Sequence, residues 1–221
     1  FMRPTDQLPE YPYKALPVNN GGPSILSRHP IVSSRQHFFS EGESGNCFIR
    51  CTIALGPDTI AVYSCHLAST KLSQTDIDNY HTFVENPMDT TTYGHSKTVF
   101  RKLLTAAKIR REHADSICAV LQAETAKYVI LAGDFNDPPM SYAYEQVGRH
   151  LTSVFAMSGL GRCVTYNQNG LDYRIDHIFA SGAFKPLHCW VDNSITASDH
   201  YPVLAVLLYN NSAKTDAHIK K

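Results

Sequence analysis

The chain has 221 residues, 43% of them hydrophobic, and its 20 Lys and Arg balance its 20 Asp and Glu to a formal net charge of zero. That size supports a single globular domain over 1–221 with a sizeable core, and no linker or internal repeat divides it. A neutral balance excludes the global electrostatic footprint of a tight nonspecific duplex binder. The six cysteines, Cys47, Cys51, Cys65, Cys118, Cys163 and Cys189, include no CxxC pair. This excludes a disulfide scaffold or zinc site and leaves core thiols. No apolar stretch is long enough to cross a bilayer, and the first residues hold no signal-peptide core.

Residues 1–23 are proline-rich; strands are expected at 24–28, 46–55 and 59–66, the last two joined by a turn at Gly56-Pro57-Asp58. Residues 68–96 are polar and aperiodic, a long excursion directly after His66 that reads as a substrate-facing loop with His81 and His95 at its surface. Val99, Leu103, Ala106, Ile109, Ala114, Ile117 and Leu121 recur at helical spacing. A helix is therefore expected over 97–124, capped by Ser96 and covering a sheet that includes 128–133. Its Lys97, Arg101, Lys102, Lys108, Arg110 and Arg111 read as a solvated face rather than a phosphate-backbone contact. A second helix is expected around 140–149, and a polar tail at 210–221 is expected to be disordered.

Four short motifs carry chemistry: SCHL at 64–67, GDFN at 133–136, YRIDHIF at 173–179 and SDHYPV at 198–203. Tyr128–Ala132 is a short apolar run that reads as a buried strand, and a two-residue period points Asp134 and Asn136 the same way at its end. A carboxylate and an amide so placed can hold a water or a hard divalent cation. Asp137-Pro138-Pro139 then turns the chain away. Asp199 and His200 lie on the turn before the strand Val203–Tyr209, with Pro202 at its start, where a ladder donor is dispensable. A histidine working near neutral pH needs a partner to fix its tautomer, and Asp176 is the candidate. Alternation puts Arg174, Asp176 and Ile178 on one side of their strand and Ile175, His177 and Phe179 on the other. Alone, GDFN is as readily a turn; the four motifs in this order are the signal.

On these residues, from about Gly22 to Tyr209, the sequence closely resembles the endonuclease/exonuclease/phosphatase superfamily, the DNase-I-like metal-dependent phosphoesterases. GGPSILSRHPI at 21–31 looks like a strand segment of that family, and Asn46 and Arg50 fall where relatives carry a polar strand facing the site. IRREHA at 109–114 resembles the family's helix motif of an arginine followed three residues later by glutamine, with His113 in the glutamine's place. The resemblance implies an α/β fold, a four-layer sandwich of two mainly antiparallel sheets flanked by helices. By the same likeness His66 contacts the scissile phosphate, Asp134 orients or deprotonates the attacking water, and Asn136 positions Asp134 and assists the metal. Asp176 pairs with His200 to hydrogen-bond a phosphate oxygen, and Asp199 lies beside the metal, Mg²⁺ or Mn²⁺. Arg50, Arg174 and Tyr166 are the expected substrate-binding residues, Tyr166 bordering the groove.

One departure is serious. The family's principal metal ligand is a glutamate in a Gln-Glu motif on an early strand, preceded by an asparagine on the first strand, and this chain holds neither motif. Glu10, between Pro9 and Pro12, and Asp6 are the only upstream acids, and no apolar strand leads into Glu10. The chain therefore reads as the later two-thirds of such a domain, its N-terminal strands missing, with weakened metal binding expected. The expected substrate is a phosphodiester, nucleic acid among the candidates. The rivals are an inositol-phosphate phosphatase or sphingomyelinase-like esterase, and a noncatalytic phosphate-binding module. No protein partner is evident, and location stays open between the cytoplasm and a membrane-anchored parent, since some bacterial relatives carry anchors ahead of the domain.

Overall fold

The computed structural model describes residues 8–18, 21–40, 45–86, 90–168 and 171–209. A short hairpin comes first, β1 (Tyr13–Ala15) pairing antiparallel with β2 (Ile25–Ser27). β3 (Ile31–Phe38), β4 (Cys47–Leu55) and β5 (Asp58–His66) then form an antiparallel meander. The chain leaves through α1 (Gln74–Glu85) and α2 (Thr90–Gln122) and returns as β6 (Tyr128–Asp134), which lies parallel to β5. A parallel return needs a long crossover, and the two helices supply it.

The remaining elements are α3 (Tyr142–Gly148), β7 (Thr152–Ser153), α4 (Val154–Ser158), β8 (Tyr166–Gln168), β9 (Leu171–Tyr173), β10 (Asp176–Ala180), β11 (Phe184–Val191) and β12 (Val203–Tyr209). The central sheet runs β3-β4-β5-β6-β10-β7; β11 and β12 form a separate antiparallel ribbon. Alternation along the central strands sorts their side chains to two apolar faces. Tyr63, Cys65, Leu131 and Phe179 pack with Ala114, Ile117 and Val147 under α2 and α3. Ile60, Tyr128, Ile130 and Ile178 pack instead against Val203, Ala205 and Leu207 of the ribbon. The result is the expected DNase-I-like arrangement, β-sheets packed face to face and flanked by helices. Among the described residues the helices cover the outer face of the central sheet, while Trp190, Val206 and Leu208 on the ribbon's outer face are exposed.

The expected excursion at 68–96 is mostly helix. Ser73 accepts from the Asp76 amide and Asp76 answers the Ser73 backbone, a capping box that starts α1. α2 begins at Thr90, so Ser96 lies inside it rather than at its cap, and His95 lies in that first stretch too. Helix α1 is stabilised from outside itself: Lys102 of α2 pairs with Asp76 at 2.5 Å, and the Phe83 and Phe100 rings meet at 6.0 Å. β3 and β11 carry no clear strand pattern. β3 is an edge strand with polar Ser33, Ser34, Arg35 and Gln36, and β11 is interrupted by Pro186 and a register shift between Pro186 and His188. The cysteines are free; all but the half-buried Cys118 are buried, as core thiols. The tail at 210–221 and the sequon within it lie outside the described residues.

Candidate active site

Strand register assembles the rim. His66 ends β5 and Asp134 ends β6, and the parallel ladder sets these two residues side by side. Asp134 faces Asp176, the first residue of β10, across the antiparallel ladder, and Cys47 at the start of β4 faces His66. Gly133 makes the β5–β6 approach possible: a Cβ there would lie 2.0 Å from the Cys65 carbonyl oxygen. The glycine of GDFN is thus what lets His66 and Asp134 be neighbours.

Asn136 reaches Asp134 by a different route from the expected pleat. β6 ends at Asp134, and Asn136 takes a left-handed conformation with φ of 50°. Its amide N–H then donates to Asp134 Oδ1 at 2.7 Å, and its Nδ2 donates to Asp134 Oδ2 at 2.9 Å and to the Leu67 carbonyl at 3.0 Å. Asn136 therefore ties the Asp134 carboxylate to the loop leaving His66. The His66 Nδ1–H donates to the Gly45 carbonyl at 3.1 Å, since a carbonyl can only accept, which turns Nε2 toward Asp134 Oδ2, 3.6 Å away.

His200 Nδ1 donates to Asp176 Oδ2 at 2.8 Å. That bond and the nearby carboxylates raise the pKa of His200 against the opposing effect of burial. Its Nε2 has no hydrogen-bond partner among the described residues and is placed to act at the rim. Tyr166 lies beside it, the rings 5.2 Å apart and steeply inclined, with a backbone bridge between the two residues. Burial, then the Asp176 charge, push the Asp134 carboxyl up to about 6, although the Asn136 amide opposes this. Asp134, Asp176 and His200 each offer a ligand atom within 4.8 Å of the others. Two partly buried carboxylates repelling each other fit a hard or borderline divalent cation, which would relieve that repulsion, while His200 stays bound to Asp176 beside them. A cleft of about 450 Å³ opens beside them, lined by Asp176, His200, Ser198, Ile178, Ile195 and Pro202.

Three expected site residues are not part of this group. The Arg50 guanidinium is bound to Glu124 at 2.9 Å and to Thr52 at 2.6 Å, three residues along β4 from the rim, so it is held in a structural pair and not presented to a substrate. Arg174 lies 4.1 Å over the Phe155 ring on the ribbon side, because the chain before Asp176 is no longer strand. Asp199 is exposed and accepts from Ser198 Oγ, outside the Asp134–Asp176–His200 group. Glu10 is exposed on a turn before β1.

The profile of the Endonuclease/Exonuclease/phosphatase family matches residues 3–200. The chain belongs to this family. Among solved structures it is similar to a family protein from Leptotrichia buccalis at 18% identity and a TM-score of 0.54, covering 84% of this chain and 65% of that one. A beta toxin from Staphylococcus aureus is similar at 17% identity and a TM-score of 0.59, covering 91% of this chain and 80% of that one. A mannosyl-6-phosphatase from Bacteroides thetaiotaomicron is similar at 18% identity and a TM-score of 0.54, covering 84% of this chain and 70% of that one. These likenesses establish the fold, and the chain spans about two-thirds of the Leptotrichia protein's length. No curated protein matches the sequence.

Two residues support this family site from outside the four motifs that carry the chemistry, Thr165 and the Arg110 of the IRREHA helix motif. Thr165 is fully buried; its Oγ1 accepts from the amides of Ile175 and Asp176, and its carbonyl accepts from Tyr201 N–H. It therefore locks the strand bearing Asp176 to the turn bearing His200. Arg110, expected on a solvated face, is buried: NH2 pairs with Asp137 at 2.7 Å and NH1 donates to the Ala68 carbonyl and to Thr70 Oγ1, both at 3.1 Å. It clamps the loop after His66 to the turn after Asn136. The neighbouring His113 stacks on Phe39 at 3.9 Å. Helical spacing alone could have placed Arg110 with Ala106, Ala114 and Ile117 on the buried stripe.

Proposed function

We propose that this chain carries the catalytic rim of a divalent-cation-dependent phosphoesterase whose substrate is a phosphodiester. The observation that supports this reading is the convergence of His66, Asp134, Asp176 and His200 on one rim, the first three set by strand register and His200 by its hydrogen bond to Asp176. Asp134 and Asp176 would hold the cation, which supplies charge neutralisation at the phosphate. Asp134, fixed on both oxygens by Asn136, takes the proton of the attacking water. His200, oriented by Asp176, donates from Nε2 to a phosphate oxygen as negative charge builds, and His66 steadies the same group from the β5 side. Tyr166 borders the substrate beside His200.

A phosphomonoester is the second reading, favoured by the likeness to a mannosyl-6-phosphatase. Hydrolysis of bis-p-nitrophenyl phosphate and of p-nitrophenyl phosphate with Mg²⁺, Mn²⁺ or EDTA separates the two. We expect cation-dependent turnover of the diester that falls at least about a hundredfold in Asp134→Asn and in His200→Ala, with both variants folded. Wild-type turnover in either variant overturns its assigned role, and silence with every cation overturns the reading for this chain.

A further inference from the structure

A second cleft, about 350 Å³, adjoins the rim on the His66 side, walled by Asn46, Ser69, Thr70, Lys71, Arg101 and Lys102. It is continuous with the site through the backbone. Asn46 lies between Gly45, whose carbonyl holds His66, and Cys47, which pairs with His66. The opposite wall begins at Ala68, directly after Leu67, whose carbonyl holds Asn136.

Among the described residues the cleft carries three cations, Lys71, Arg101 and Lys102, against one carboxylate, Asp76. Lys102 is satisfied by Asp76, whose carboxyl that pairing and the Ser73 hydrogen bonds hold at about 2. Lys71 and Arg101 have no carboxylate partner among the described residues. Among the described residues the other polar side chains of the cleft are neutral, the Asn46 amide and the hydroxyls of Ser69, Thr70 and Thr105, the last of which donates to the Arg101 carbonyl at 2.9 Å. The loop wall is held in place: Arg110 binds Ala68 and Thr70, Ser69 Oγ accepts from the Lys71 amide at 3.3 Å, and Lys71 takes a φ of 53°. Two cations without a carboxylate partner among the described residues, the Asn46 amide, the Ser69 and Thr70 hydroxyls and a fixed wall suit a compact oxyanion with several acceptor oxygens.

We propose that this cleft is an anion subsite that takes a second phosphate group of the substrate, next to the one hydrolysed. The inference rests on the phosphoesterase reading above. A diester with a single phosphate would leave the subsite empty, whereas an oligonucleotide or a phosphorylated polyol would fill it.

The test compares wild type with Lys71→Gln/Arg101→Gln on bis-p-nitrophenyl phosphate, a short single-stranded oligonucleotide and an inositol polyphosphate. We expect KM to rise about tenfold or more for a multiply phosphorylated substrate, with kcat unchanged and the bis-p-nitrophenyl phosphate kinetics untouched. Lys71→Arg/Arg101→Lys should restore KM. The arm that shows the rise identifies the source of the second phosphate; no selective rise in either arm, or an equal loss on all three substrates, overturns the proposal. A binding arm is independent of turnover. Titration with inorganic pyrophosphate in EDTA, followed by amide NMR shifts, should perturb Asn46, Ser69, Thr70 and Lys71 in wild type and not in the double variant. That result upholds the subsite even where hydrolysis fails, and unperturbed amides in wild type overturn it even where hydrolysis succeeds.

Discussion

At the scale of single residues, the rim depends on one missing side chain as much as on those present. The β5–β6 ladder brings the Cys65 carbonyl to within 2.0 Å of where a Cβ on Gly133 would lie. The contact is with backbone in the middle of a sheet, so neither partner can rotate away. We expect Gly133→Ala to cost about 3 kcal/mol or more, read from the urea midpoint, as the strands are forced apart. Residual activity should fall further than stability explains, because His66 and Asp134 separate with the strands. A variant with wild-type midpoint and turnover would show that the ladder is looser than it is here. The Asn136 turn was legible only in part: its partnership with Asp134 follows from the motif, but the left-handed backbone that delivers it is set by Phe135 N–H bonding the Ile175 carbonyl, forty residues later in the chain.

At the scale of elements, two ion pairs join the α2 region to the sheet. Arg110 and Asp137 are both buried, with side-chain exposures of 5% and 11%. Burial raises the Asp137 pKa despite the arginine. Removing one partner leaves a buried charge unpaired, so Arg110→Met should cost about 3 kcal/mol in denaturant unfolding, and adding Asp137→Asn should recover more than half of it. No recovery would mean that the loss is packing rather than charge. At the other end of α2, burial pushes the Glu124 carboxyl up, but hydrogen bonds from Arg50, Tyr63 and the Ala126 amide win and hold it at about 2, below its ordinary 4.5. A depressed carboxyl stabilises the fold above its unfolded pKa and loses that contribution as pH falls through the folded value. Glu124→Gln should therefore cost about 2 kcal/mol at pH 7, allowing for the partly exposed Arg50. The gap between wild type and variant should close between about pH 4.5 and 2; a gap constant over that range would assign the effect to shape alone. The Arg50–Glu124 pair also explains why a residue expected to bind substrate is absent from the rim. The sequence shows a polar residue on a strand, and the partner that occupies it sits 74 residues away.

For the whole molecule, charge and surface act together. Net charge is zero at pH 7, and the outer face of the β11–β12 ribbon exposes Trp190, Val206 and Leu208 at 40%, 42% and 51%. Without net repulsion, an exposed apolar strand face favours association. Solubility should be lowest near pH 7 and rise on either side, and Val206→Lys/Leu208→Lys should raise it severalfold at pH 7. A flat profile would mean that the face is already covered. Much of this molecule is written in local order. The strands at 47–55 and 58–66, the helix under the sheet, the buried run before Asp134 and the four motifs follow from periodicity and residue chemistry, because those signals operate over a few residues. His66, Asp134, Asn136, Asp176 and His200 were therefore recognisable along the chain, whereas Tyr166, outside the four motifs, was expected only through the family resemblance. Which of the remaining candidates join them depended on tertiary structure. Ladder register put Asp176 opposite Asp134, while Glu124 drew off Arg50, Phe155 covered Arg174 and the turn at Ser198 left Asp199 exposed. Those outcomes are set by competition between distant partners for the same polar groups, and local pattern carries no record of which partner wins.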